Sequence, residues 1–295
     1  METTTLRAAD GAPIAARFFA PPGAPRSAVL IGGAMGVRQD YYRPFAEWLA
    51  QQGHLVATFD YRGSGESLPP GRSLRSVDVD LFGWAADTDT VIEALAARAG
   101  AVPIVMIGHS LGAQLPGLLA QRDRLAGLLS VAAGSGYWRD NAPALKRHVL
   151  YFWHVLVPVG TALFGYFPGK RLRKVGDLPK GVMLQWRRWC LHPRYHVGAE
   201  GAAVREQFEA ARFPLVALSI TDDELMTERG TRVLVDCYPN APRRIERIAP
   251  ADVQARRIGH FGLFREQFQA TLWPRMTALL QGFGPDSLHT MKETT

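Results

Sequence analysis

Short runs of uniformly apolar residues recur along the chain, each closed by glycine, proline or a charged cluster. They cover residues 27–31 (SAVLI), 55–61 (LVATFDY), 104–108 (IVMIG), 127–131 (GLLSV) and 214–220 (PLVALSI), with a weaker one at 243–248 (RRIERI). A strand that is apolar at every position, rather than at alternate ones, is covered on both faces. The intervals carry helix-like periodicity. Residues 42–52 put Phe45, Trp48 and Leu49 on one face and stop at Gly53, while 84–98 repeats Val91, Ile92 and Leu95. Residues 111–121 and 228–238 read as helices in the same way. Buried strands alternating with helices predict an α/β fold, a mostly parallel sheet with helices on both faces. Residues 4–19 hold two alternating runs split by Asp10-Gly11, which predicts an antiparallel hairpin at the sheet edge.

The alternation fails between Ser135 and Val197, where four of the seven tryptophans fall: Trp138, Trp153, Trp186 and Trp189. The expected organisation is therefore a core in two parts, 1–134 and 206–284, a helical cap or lid at 135–205, and a polar tail at 285–295. Between Arg147 and Lys170 the chain has no formal charge and is just long enough to span a bilayer. Pro158, Gly160, Gly165 and Pro168 interrupt it, so it reads as cap helices lining an apolar pocket, with contact along a membrane surface as the alternative.

Charge sharpens this division. The net charge is +7, yet residues 135–197 contain eleven Lys or Arg against two Asp, which leaves the rest of the chain near −2. So local a basicity does not make a chain-wide nucleic-acid footprint, and no nucleic-acid partner is expected. It suits an anionic head group or peripheral contact with an anionic membrane through the basic cap. Cys190 and Cys237 read as reduced thiols, and the polar start lacks the basic segment and apolar run of a signal peptide, so a cytoplasmic location is expected. Phosphate-loop and dinucleotide glycine patterns are missing. His192 and His196 lie four apart, but Pro193 separates them and no third ligand is evident, so neither metal nor cofactor is expected.

The chemistry-bearing pattern is Gly108-His109-Ser110-Leu111-Gly112. Alone it is common by chance, and its bland reading is a glycine-rich turn. Here it directly follows a predicted strand and precedes a predicted helix, the strand-turn-helix setting that exposes a serine at a strand's carboxyl end. A serine hydroxyl needs a base, and the base an orienting carboxylate. His260, in a glycine-flanked loop before the last helix, is the base candidate. His109 adjoins the serine but should point away from it, His289 lies in the tail, and His148, His154, His192 and His196 lie in the inserted region. Asp222-Asp223-Glu224 follows the fifth strand and offers two acid candidates, Asp223 and Asp222, one of them expected to serve the turn instead.

These residues resemble the α/β-hydrolase superfamily, in the branch of serine aminopeptidase and lysophospholipase-type hydrolases, and are most similar to a group of bacterial predicted hydrolases. The resemblance covers roughly residues 6–134 and 212–282. Its marks are Gly32-Gly33-Ala34-Met35-Gly36, the run from Asp60 to Ser67 (DYRGSGES), the 108–112 elbow, Thr221 to Glu224 and Gly259-His260-Phe261-Gly262. It implies Ser110 as nucleophile, His260 as base and Asp223 as the preferred acid, in the family order Ser, Asp, His. The acid often stands four residues before a proline, and here that position is Thr227. The implied oxyanion donors are the backbone N–H of Leu111 and one from the 32–36 loop, Ala34 by register with Met35 as the alternative. Relatives carry His-Gly where this loop has Gly32-Gly33. The implied activity is hydrolysis of a small-molecule carboxylic ester, lipophilic or anionic, through an acyl-enzyme. An acyltransferase or amidase on the same residues, or a non-catalytic binding protein of the same fold, are the alternatives.

Overall fold

In a computed structural model, which describes residues 1–283, the chain begins with β1 (Glu2–Arg7) and β2 (Pro13–Phe19), followed by β3 (Ser27–Gly32), α1 (Arg43–Gln51), β4 (His54–Phe59), α2 (Leu81–Ala99), β5 (Ile104–His109) and β6 (Leu125–Val131). An insertion comes next. It contains α3 (Pro143–Tyr151), a π-turn over Phe152–Leu156, α4 (Val157–Phe164), a small hairpin of β7 (Tyr166–Pro168) and β8 (Asp177–Pro179), then α5 (Lys180–Leu191), α6 (Tyr195–Ala199) and α7 (Ala202–Ala210). The chain returns through β9 (Leu215–Ile220), α8 (Glu228–Val235), β10 (Arg243–Ile248) and α9 (Leu272–Gln281). The expected polar tail at 285–295, with His289, lies outside the described residues.

Eight strands form one sheet in the order β1-β2-β4-β3-β5-β6-β9-β10. Pairing is parallel from β4 through β10, and the β1–β2 hairpin adds antiparallel at one edge. The period-2 alternation of strand side chains explains why the central strands carry no polar stripe. In β3, Ala28 and Leu30 enter one core layer while Val29 and Ile31 enter the other; in β5, Ile104 and Met106 oppose Val105 and Ile107 in the same way. The first layer is closed by α2 and the insertion, the second by α1 and α9. Strand order reverses around β3, which has β4 on one side and β5 on the other. In open α/β sheets, ligands commonly bind outside the carboxyl ends of the strands at such a switch point.

One expected helix does not form. Residues 111–121 hold only two short 3-10 turns, Ser110–Ala113 and Pro116–Leu118. Pro116 has no N–H for an α-helical bond. The amides around it are taken elsewhere: Gly117 N–H donates to Tyr238 Oη (3.1 Å), while Ala120 and Gln121 N–H donate to the Asp89 carboxylate (2.9 Å each). Only one tight turn, rather than a long dipole, therefore stands behind Ser110.

Candidate active site

Ser110 follows the last residue of β5 and holds φ at 52°, in the left-handed region that non-glycine residues rarely occupy. Such strain persists only where packing enforces it. Close backbone contact does so here, because a Cβ on Gly112 would lie 2.2 Å from the carbonyl oxygen of Gly32 at the end of β3. The turn is thereby pressed against the 32–36 loop, and Ser110 is left 8% exposed.

The loop after β9 brings three acids to the loop carrying His260, and each has its own work. Asp223 Oδ2 accepts from His260 Nδ1 at 2.8 Å, with both side chains buried. Its Oδ1 accepts from the amides of Leu225 (2.7 Å) and Met226 (2.8 Å), which fixes the carboxylate's orientation. Asp222 instead accepts from the backbone N–H groups of Ile258 (3.0 Å) and Gly259 (3.1 Å). Glu224, to which sequence reasoning assigned nothing, accepts from His260 N–H at 3.1 Å and pairs with Arg257. Thr227, standing where the family pattern has proline, caps α8 by accepting from Gly230 N–H at 3.1 Å. With Nδ1–H donated to Asp223, the lone pair of His260 is on Nε2. No hydrogen bond joins Ser110 to His260 among the described residues; such bonds commonly tighten only with substrate bound.

The 32–36 loop bears on the expected oxyanion donors. Ala34 N–H is already committed to Tyr42 Oη at 2.8 Å, so it is not free to receive a developing oxyanion. The amide of Met35 makes no hydrogen bond among the described residues, and Leu111 N–H, in the first turn after Ser110, has no partner within that turn. Among the described residues, neither amide has a hydrogen-bond partner.

Tyr42 leads into a buried relay that the sequence did not disclose. Its hydroxyl, accepting from Ala34, has one proton to give, and His109 Nδ1 lies 2.8 Å away. His109 Nε2 in turn lies 3.1 Å from the carbonyl oxygen of His260. Burial, and then the nearby His260, push the pKa of His109 well below the usual histidine value, so its ring is neutral. Only one tautomer satisfies every contact: Nδ1 accepts from Tyr42 and Nε2–H donates to His260 O. One chain of hydrogen bonds thus ties together the 32–36 loop, the residue before Ser110 and the loop of His260. Tyr41 secures the same loop through a hydrogen bond to Phe261 O.

The insertion packs directly on these loops. Gly36, at φ 70°, lies against the 175–176 backbone, where a Cβ would be 1.6 Å from Val175 O. Gln114, just past the elbow, donates to Gly134 O and accepts from Tyr195 Oη, both at 2.8 Å. His196 is fully buried and stacked on Phe208 at 4.3 Å, and among the described residues no group of three or more His, Cys, Asp or Glu is arranged to hold a metal. The Asp60–Ser67 run is structural. Asp60 accepts from the amides of Gln39 and Glu66, and Arg62 pairs with Asp87 and Asp10.

Comparison with known proteins agrees with this architecture. Among solved structures, the fold resembles a monoglyceride lipase from Saccharomyces cerevisiae crystallised with a substrate analogue (TM-score 0.68, 16% identity, covering 96% of this chain and 94% of that one). It also resembles Est1E from Butyrivibrio proteoclasticus (TM-score 0.59, 14% identity, 96% and 99%) and a membrane phospholipase A described as a bacterial virulence factor (TM-score 0.58, 16% identity, 96% and 86%). At such identities the likeness establishes the fold. No curated protein sequence matches the chain. The profile of the serine aminopeptidase family S33 matches residues 23–181, more than half of the sequence. The chain belongs to that family and is an α/β-hydrolase.

Proposed function

We propose that this hydrolase is a serine enzyme that cleaves carboxylic esters through an acyl-enzyme, with Ser110 as nucleophile, His260 as base and Asp223 as the orienting acid. The observation that carries the reading is the buried Asp223–His260 pair at 2.8 Å, with His260 on a loop hydrogen-bonded to the residue that precedes a serine held at positive φ. His260 Nε2 takes the Ser110 proton as Oγ attacks the substrate carbonyl. The N–H groups of Leu111 and Met35 receive the oxyanion, each contributing on the order of 3 kcal/mol to the transition state. His260 then protonates the leaving alcohol and later activates the water that frees the enzyme. Asp223 holds the tautomer and stabilises the imidazolium.

In this reading residues 135–205 act as a cap that selects the substrate. Its partly buried Trp138 and Trp186 suit a lipophilic acyl or aromatic group, and its cationic excess suits an anionic head group. The resemblance in fold to a lipase and a phospholipase favours the same class. Labelling with a fluorophosphonate probe tests the assignment: wild type labels and hydrolyses nitrophenyl esters, and Ser110→Ala does neither. Absence of labelling in the folded wild type refutes it. A series of acyl chain lengths tests the lipophilic pocket, which acetyl preference would contradict.

A further inference from the structure

The continuous helical stretch from α3 through α4 carries apolar residues on both sides, with His148 and His154 also exposed along it. Val149, Trp153 and Val157, at four-residue spacing, point into the first core layer and are at most 4% exposed. Two residues out of phase, on the opposite side of the helix, Tyr151 (57%), Val155 (40%), Val159 (51%) and Leu163 (67%) form a second stripe, open to solvent, with Leu150 (39%) beside it. Among the described residues, five of the seven exposed large apolar side chains lie on this one element. The stripe is about 18 Å long at 1.5 Å per residue. A helix apolar all round normally has both sides covered. This one has a covering on one side only.

Cations bracket the stripe. Lys146 and Arg147 are exposed on α3 at its start. At its end the loop between β7 and β8 presents Lys170, Arg171, Arg173 and Lys174, all exposed, and the Arg171 guanidinium lies 5.4 Å above the ring of Phe164. None of these six has an ion-pair partner among the described residues. Arg75 anchors this end by donating to the carbonyls of Phe164 (2.6 Å) and Leu163 (3.3 Å). An outward apolar stripe with unpaired cations at both ends is the pattern of a helix that lies in a lipid interface, with side chains in the acyl boundary and cations among anionic head groups. No described helix is long and apolar enough to cross a membrane.

We infer that the outer face of α3 and α4 is a docking surface for an anionic lipid bilayer. This goes beyond the hydrolase reading and holds whether or not Ser110 is the nucleophile. It also sets a docked orientation for the insertion, which rests directly on the 32–36 loop through Gly36.

The test is co-sedimentation of the full chain with vesicles of phosphatidylcholine alone or with one quarter phosphatidylglycerol, in 0.1 M and 0.5 M salt. Wild type is expected to bind the anionic vesicles at least tenfold more tightly than the neutral ones, and to lose most of that binding in high salt. The double variant Val159→Asp/Leu163→Asp should bind at least tenfold more weakly, with an unchanged melting temperature because both sites are solvent-exposed. Lys170→Glu/Lys174→Glu should abolish the preference for anionic lipid. Ser110→Ala should bind like wild type, which separates docking from catalysis. Equal partitioning of wild type and the double aspartate variant overturns the proposal. So does light scattering that shows a wild-type dimer which the aspartates convert to monomer, since a second copy would then be what covers the stripe.

Discussion

Replacing Tyr42 with phenylalanine probes the relay with a single atom. The hydroxyl is buried, with Tyr42 only 1% exposed, and it serves two partners at 2.8 Å, the Ala34 amide and His109 Nδ1. Phenylalanine fills nearly the same space, so the ring contacts to Phe264 and Tyr41 persist. What is lost is satisfaction of two groups that water does not reach, Ala34 being 3% and His109 0% exposed. An unpaired buried polar group costs about 1–3 kcal/mol, so two cost roughly 2–6 kcal/mol, offset in part because no hydroxyl need now be desolvated. About 3 kcal/mol is the central expectation. At roughly 2 cal/mol/K per residue the unfolding entropy of this chain is about 0.6 kcal/mol/K, so the melting temperature should fall by about 5 °C. The two readouts of Tyr42→Phe are scanning calorimetry and steady-state hydrolysis of a nitrophenyl ester. Because the relay ties down the 32–36 loop, which holds the proposed donor Met35 N–H, kcat should fall by about 10–100-fold, equivalent to about 1.4–2.8 kcal/mol, with KM little changed. A melting point within 1 °C of wild type and an unchanged kcat would refute the relay. A lower melting point with wild-type kcat would confine it to stability.

Three further outcomes follow from the same geometry. Asp223→Asn should lower kcat by about three to four orders of magnitude, the scale of losing the orienting acid, whereas Asp222→Asn should mainly lower the melting temperature, because it faces backbone amides of the His260 loop; equal kcat losses would contradict the division. Gly112→Ala should prevent stable folding or cost more than about 3 kcal/mol by overpacking, since its Cβ would meet Gly32 O at 2.2 Å, and a wild-type denaturation midpoint would count against that contact. Burial lowers the pKa of His196 from 6.5 to about 3, so the folded state keeps it neutral while the unfolded chain takes up a proton below pH 6.5, and stability falls with acidity across that window. Between pH 6.5 and 5 this amounts to about 2 kcal/mol. His196→Phe should therefore lose about 3 °C less than wild type when the pH drops from 7.5 to 5, and an identical drop would exclude His196 as a source of the acid sensitivity.

Much of the fold is legible along the chain because it depends on local pattern. The central strands read as apolar runs since both faces are covered, and each observed strand lies within a residue or two of its run. The edge hairpin followed from alternation around Asp10-Gly11. Ser110 and His260 stood out by their glycine-flanked turns and their order. What the chain could not specify was every choice between neighbours. Asp222 and Asp223 are chemically equivalent in sequence, and the fold of one loop turns the first toward backbone amides and the second toward a ring 37 residues away. Ala34 and Met35 differ by one position, and only the approach of the Tyr42 hydroxyl gives the first amide a partner. The missing helix after Ser110 reflects Pro116, which the sequence shows, together with Asp89 and Tyr238, 31 and 121 residues distant from the amides they capture. In the insertion, apolar periodicity on both sides of a helix gives no amphipathic signal, so which side meets the core and which meets solvent depends on packing alone. Local propensity and burial pattern are properties of the sequence; the direction in which a side chain points, and the partner it finds there, belong to the tertiary structure.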